Sequence, residues 1–125
     1  MSMNSKIPSE EDFVRAKQFM ADRYRNLDTV ENAIKTRFES CCPLHGVYLL
    51  VQEDVDYRLY VFFEKAKDVA VCQSNGTTAA IEVALYEELE RVKRGKCGET
   101  RVAFEYDSHE NVVDKFDGDY LSRLR

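Results

Sequence analysis

Two histidines, four cysteines and three clusters of carboxylates are the side chains in this chain whose types and spacing bear on chemistry. His45 follows the Cys41-Cys42-Pro43 turn closely, and a thiol beside an imidazole is the beginning of a nucleophile–base pair. Nothing near it in sequence supplies the third group that would orient the imidazole, so these read as ordinary loop residues. Cys41, Cys42, Cys72 and Cys97 form no CxxC pair, and adjacent cysteines are a poor metal-ligand pattern. They read as reduced thiols, at least two of them packed as small hydrophobes. His109 falls in a segment expected to be a solvated turn.

The carboxylates gather as Glu53, Asp54 and Asp56, as Glu105, Asp107 and Glu110, and as Asp114, Asp117 and Asp119. Acid–base catalysis of the glycosidase kind needs one carboxyl kept neutral by burial, and turns and wet strand faces do not bury. Asp117-Gly118-Asp119 holds only a fragment of a calcium loop, so no metal site is expected. Ser74-Asn75-Gly76-Thr77-Thr78 lacks the lysine and glycine spacing of a phosphate loop and reads as a turn with a helix cap. No catalytic group and no cofactor follow from these residues. Tyrosines 57, 60, 106 and 120 lie close to the acidic turns, and tyrosine is favoured at binding hot spots. The functional expectation is an acidic surface that meets a basic protein through Glu53, Asp54, Asp56, Asp107, Glu110, Asp117, Asp119 and Tyr120.

Charge agrees with that expectation. There are 23 acidic residues against 18 basic ones, a net −5, which disfavours nucleic acid and anionic membrane as partners. No apolar run reaches the roughly 20 residues a membrane helix needs, and Met1 to Lys6 lacks the apolar region of a secretory signal, so a cytoplasmic address is expected.

The elements that position these side chains follow from period and punctuation. At 125 residues with 44% apolar content, the chain can bury one core as a single domain over residues 1–125. Ser9 with Asp12 resembles a capping box after Pro8, and Phe13, Ala16, Met20 and Tyr24 form one stripe, which predicts a helix from Ser9 to Arg25. After a break at Asn26-Leu27-Asp28, a second helix carries Leu27, Val30, Ile34 and Phe38 and runs to Ser40 before Pro43; one bent helix from Ser9 to Cys41 is the alternative. Gly46–Gln52, Tyr57–Glu64 and Val69–Gln73 read as strands joined by short turns, hence an antiparallel meander. Apolar residues on both faces of the first two predict that they are central in the sheet or covered on both sides. A third helix, capped by Thr77 or Thr78 and closed at Gly95, carries Ile81, Ala84, Leu85, Leu89 and Val92. Thr100–Tyr106 and Val112–Phe116 complete an expected hairpin. The expected fold is therefore α+β, an antiparallel sheet of about five strands with helices packed on it, in the order ααβββαββ.

The segments GVYLLVQ, YRLYVFFE, ALYEELERVK and RVAFEYDSHENVVDKFDGDY, in this order behind a leading helix, resemble the YezG-like immunity proteins of bacterial polymorphic toxin systems, and more broadly the immunity proteins of contact-dependent growth inhibition. The resemblance implies no catalysis. It implies an antitoxin that binds and blocks a cognate toxin domain, often a nuclease with a basic cleft. The rival reading is a small-molecule or peptide binding module whose apolar sheet lines a pocket; a second rival is a thiol enzyme built on Cys42 and His45. A homodimer through an edge strand is compatible with each.

Overall fold

The computed structural model describes residues 9–96 and 98–125, the side chains of residues 19, 20, 22 and 23 excepted. Pro8 and Cys97, and the side chain of Met20 in the expected first stripe, lie outside the described residues. Among the described residues the order is α1 (Glu10–Arg23), α2 (Leu27–Phe38), β1 (Leu44–Val51), β2 (Tyr57–Phe63), α3 (Ala66–Ser74), α4 (Thr77–Arg91), β3 (Val102–Ser108), α5 (His109–Phe116) and α6 (Tyr120–Arg123).

The first helix starts as its punctuation predicts, whereas α2 begins at Leu27 behind Asn26, which makes no side-chain cap. The Ser9 hydroxyl accepts the Asp12 N–H and the Asp12 carboxylate accepts the Ser9 N–H, each at 3.2 Å, a reciprocal box that satisfies two otherwise orphaned donors. Asn26 takes a left-handed φ of 64° and separates α1 from α2. The α2 stripe of Leu27, Val30, Ile34 and Phe38 is buried as its spacing requires.

The expected sheet does not form. Instead of about five antiparallel strands, the chain has a three-stranded mixed sheet in the order β1-β2-β3. β1 and β2 are the expected antiparallel hairpin, with Val47 opposite Val61 and Val51 opposite Tyr57. β3 pairs with β2 in parallel, from Tyr57 beside Val102 to Phe63 beside Ser108. That direction is available because residues 64–101 hold two helices, α3 and α4, long enough for a crossover.

Two expected strands are helices. Val69–Gln73 lies within α3, where the Asp68 carboxylate accepts the Lys65 N–H at 2.9 Å and Cys72 alone is fully buried. Val112–Phe116 lies within α5. Ser108 caps this helix by accepting the Asn111 N–H at 3.1 Å, and Asp117 (φ 53°) and Gly118 (φ 78°) close it in left-handed conformations, with the Gly118 N–H reaching the Val112 carbonyl at 2.9 Å. In both segments the apolar residues are too few to decide the period, and the caps decide it.

Strand alternation builds two cores, one on each face of the sheet. Val47, Leu49, Leu59, Val61 and Phe63 point to one face with the stripes of α2 and α4, Cys72 of α3, and Val102, Phe104 and Tyr106 of β3. Tyr60 and Phe62 point to the other, with Tyr48, Leu50, Val112, Phe116, Tyr120 and Leu124. The sheet is therefore covered on both sides, one of the two arrangements its doubly apolar strands predict. At the edge of β1 the Leu49 N–H is met by the Glu31 carboxylate at 2.9 Å; burial raises that carboxyl, the Leu49 hydrogen bond opposes the rise, and Asp28 adds to it.

α3 leaves β2 toward the first face, and α5 leaves β3 toward the second. Adjacent parallel strands whose following helices depart to opposite faces leave a crevice between them, and open α/β sheets bind their ligands at such switch points. No helix of the described residues is long and apolar enough to cross a membrane.

Candidate functional site: the crevice at the ends of the parallel strands

The crevice is lined by Glu64, Lys65 and Ala66 just beyond β2 and by His109, Glu110, Asn111, Val113 and Asp114 just beyond β3, with a volume of about 700 Å³. Sheet register brings these groups together. Leu44, Phe63 and Ser108 are neighbours across the three strands; Glu64 and His109 follow the parallel pair, and His45 is the bulged residue between Leu44 and Gly46, so the three meet at one end of the sheet.

His45 and His109 stack with centroids 3.9 Å apart and planes 13° from parallel. His45 Nδ1 lies 3.1 Å from the Glu64 carboxylate, and His109 Nδ1 lies 2.7 Å from the Tyr120 hydroxyl. The rings of His109 and Tyr120 are 8° from parallel with centroids 5.9 Å apart, an edge-to-edge hydrogen bond rather than a face-to-face stack. Burial, reinforced by the nearby Tyr48, Glu64 and Asp107, pushes the Tyr120 phenol up to about 12, so it stays protonated at neutral pH. The same ring packs edge-on against Phe62, 4.9 Å away, which fixes it between the sheet and His109.

Two helix N-termini, those of α3 and α5, open onto this crevice, and a helix N-terminus ordinarily favours an anion. Here the chain's own groups meet them. Glu110 accepts the Ala66 N–H at 3.1 Å, Asp68 accepts the Lys65 N–H, and the Glu64 carbonyl accepts the Glu110 N–H at 3.1 Å. With those donors met and Glu64, Glu110 and Asp114 against the single ammonium of Lys65, the crevice suits a cation and not a phosphate. Val113 and Ala66 add apolar wall.

The eight acidic and tyrosine residues expected to bind a partner do not form one ring. Glu53, Asp54 and Asp56 sit in the β1–β2 connection at the opposite end of the sheet, about 20 Å away along β2 by strand rise. Asp54 pairs with Arg58 at 3.3 Å, and Asp56 accepts the Arg101 N–H at 2.8 Å. The others lie near the crevice in different roles. Glu110 lines it, and Tyr120 supports His109. Asp107 is turned inward: its carboxylate takes Arg123 Nε at 2.6 Å, Asn111 Nδ2 at 3.0 Å and the Ser108 N–H at 2.8 Å. Burial pushes its carboxyl up, but these hydrogen bonds and the guanidinium charge outweigh that and hold it below the usual carboxylate range. Asp119 caps α6 through the Leu121 and Ser122 N–H groups and the Ser122 hydroxyl, and these bonds lower its carboxyl. Asp117 is the exposed residue at the C-cap of α5.

Glu64 escaped the sequence reading; His45 and His109 read there as loop and turn residues, and Asp114 as one of an acidic cluster outside the eight expected contacts. The signal for His109 was the Ser108 cap with Val112 and Phe116 one turn apart, which marks a helix start and not a hairpin turn. The thiol–imidazole pair does not form. The Cys42 thiol donates to the Phe38 carbonyl at 3.2 Å, and burial first, then Cys41 and Cys72, push it up to about 11, while His45 turns to Glu64. Helices cover both faces of the sheet. No group of three or more metal-ligating side chains is found among the described residues.

Compared with known proteins, the chain matches no family model, no curated protein and no solved structure.

Proposed function

We propose that this chain is an immunity-type inhibitor that binds a cognate bacterial toxin domain in the cytoplasm and blocks it by occupancy, without catalysis, cofactor or metal. The toxin domain is a nuclease whose phosphate-binding lysines and arginines face the inhibitor. The acid-lined crevice at the ends of β2 and β3 carries this reading: Glu64, Glu110 and Asp114 surround a space that accepts an arginine or lysine side chain. Its rim and floor are held by fixed hydrogen bonds, so the site is organised before the partner arrives, which lowers the cost of binding. The net charge of −5 speeds encounter with a basic partner and disfavours nucleic acid or membrane in its place.

The test is genetic. Cells producing the toxin encoded beside this chain survive when the chain is co-produced, and survival is lost with Glu64→Lys plus Asp114→Lys in a variant whose circular dichroism is unchanged. A neighbouring gene that encodes no toxin, or equal protection by the charge-reversed variant, removes the reading.

A further inference from the structure

We propose that the chain associates with a second copy of itself through reciprocal docking of α1 along the outer face of α4, antiparallel, about a two-fold axis. Two helix faces carry exposed apolar side chains, although on the second Glu87 also pairs with Arg37, Glu82 accepts the Tyr106 hydroxyl and Tyr86 packs edge-on against Phe104. On α1, Phe13 and Val14 are 64% and 67% exposed, and none of its described side chains joins either core. On α4, Ala79, Val83 and Tyr86 form an apolar strip edged by Glu82, Glu87 and Glu90. Val83 is 61% exposed, and α4 side chains alone line this groove. These positions follow the three- and four-residue spacing of one helix face, so the strip is continuous.

Charge order selects the occupant. α1 begins with Glu10, Glu11 and Asp12 and continues with Arg15 and Lys17. α4 has the same order along the chain: Glu82, Glu87, Glu88 and Glu90 come first, then Arg91 and, just beyond the helix, Lys93. An antiparallel pair therefore brings the first turn of α1 to Arg91 and Lys93 and brings Lys17 to Glu82 and Glu87, with Glu11 falling beside Glu90. Glu10 to Lys17 spans the same length of helix as Arg91 back to Ala84, so a Glu10–Arg91 pairing sets Lys17 between Glu82 and Glu87. In that register Phe13 falls within a turn of Tyr86, and the small Ala16 within a turn of Val83. A parallel pair would instead set Glu10, Glu11 and Asp12 against Glu82 and would align the two helix dipoles unfavourably. One chain carries both complementary faces, so a two-fold arrangement satisfies each of them twice.

The test is sedimentation equilibrium on the full chain, combined with a photo-crosslinking phenylalanine analogue at position 13 in a mixture of isotope-labelled and unlabelled chains. A concentration-dependent dimer is expected, with crosslinks joining labelled to unlabelled peptides that contain residues 79–90. Exposed charge pairs are individually weak, but the axis repeats each change and reversal turns attraction into repulsion. Lys17→Glu and Glu87→Lys should each weaken the dimer about tenfold, and the double variant should recover most of that loss. A monomer at every concentration up to about 1 mM, where even weak association registers, overturns the proposal. So do crosslinks confined to one chain, which would mean that α1 folds onto its own α4, and so does a double variant no better than the singles.

Discussion

Arg123 Nε lies 2.6 Å from the Asp107 carboxylate, and its guanidinium sits over the rings of Tyr60 and Phe62 at 5.5 and 5.7 Å. This contact fastens α6 to the end of β3. α6 is short and carries Tyr120, so the ion pair indirectly holds the phenol against His109. Both side chains are largely buried, and removing one leaves the other charged with no partner. Asp107→Ala should cost about 2–3 kcal/mol in chemical denaturation at pH 7. The sign of its pH dependence follows from the depressed folded-state carboxyl. The stabilisation is complete above the ordinary aspartate value of about 3.9 and is lost as pH falls through the lower folded value. The stability gap between the parent and Asp107→Asn should therefore be widest near neutrality and narrow below about pH 4.

Tyr120 can be divided into its hydroxyl and its ring. Tyr120→Phe deletes the bond to His109 and keeps the edge-on contact with Phe62, so it should cost about 1 kcal/mol. Tyr120→Ala also opens a cavity beside Phe62 and should cost about 3–4 kcal/mol. Thermal unfolding of the two variants separates these contributions. In NMR spectra of Tyr120→Phe the His109 ring resonances should shift while those of the Leu59 and Val61 methyls, on the other face of the sheet, do not.

The cysteines offer a chemical check. Cys41 is exposed, whereas the Cys42 thiol is raised to about 11 and bonded to the Phe38 carbonyl. Alkylation requires the thiolate, and a two-unit rise leaves about a hundredfold less of it near pH 8. Iodoacetamide should therefore label Cys41 well before Cys42 and the buried Cys72 in the folded protein, as read by peptide mass spectrometry.

Long periodic segments were legible in the sequence, because burial and period there say the same thing. The stripes of α2 and α4 and the alternation of β1 and β2 all face where their spacing directs. The Ser9–Asp12 box was legible because it is local. α3 and α5 were not, since Val69-Ala70-Val71-Cys72 and Val112-Val113 are short β-branched runs that fit a strand equally well. Their capping groups and the faces they cover decide, and for α5 the Ser108 cap and the Asp117-Gly118 close were visible signals. The histidine stack was beyond sequence reasoning for a different reason. His45 and His109 meet only because β3 lies parallel to β2, and misreading that one direction sends His109 to a hairpin tip.

The central claim is that a basic partner is received at the crevice and not at the acidic β1–β2 connection. It is tested most directly by calorimetric titration of the neighbouring toxin domain, made inactive, with charge reversals at each end of the sheet. Asp114→Lys should weaken binding by about 30-fold or more, as expected for a hot spot of about 2 kcal/mol, whereas Glu53→Lys should change it by less than about threefold. A large loss with Glu53→Lys and none with Asp114→Lys would contradict the account.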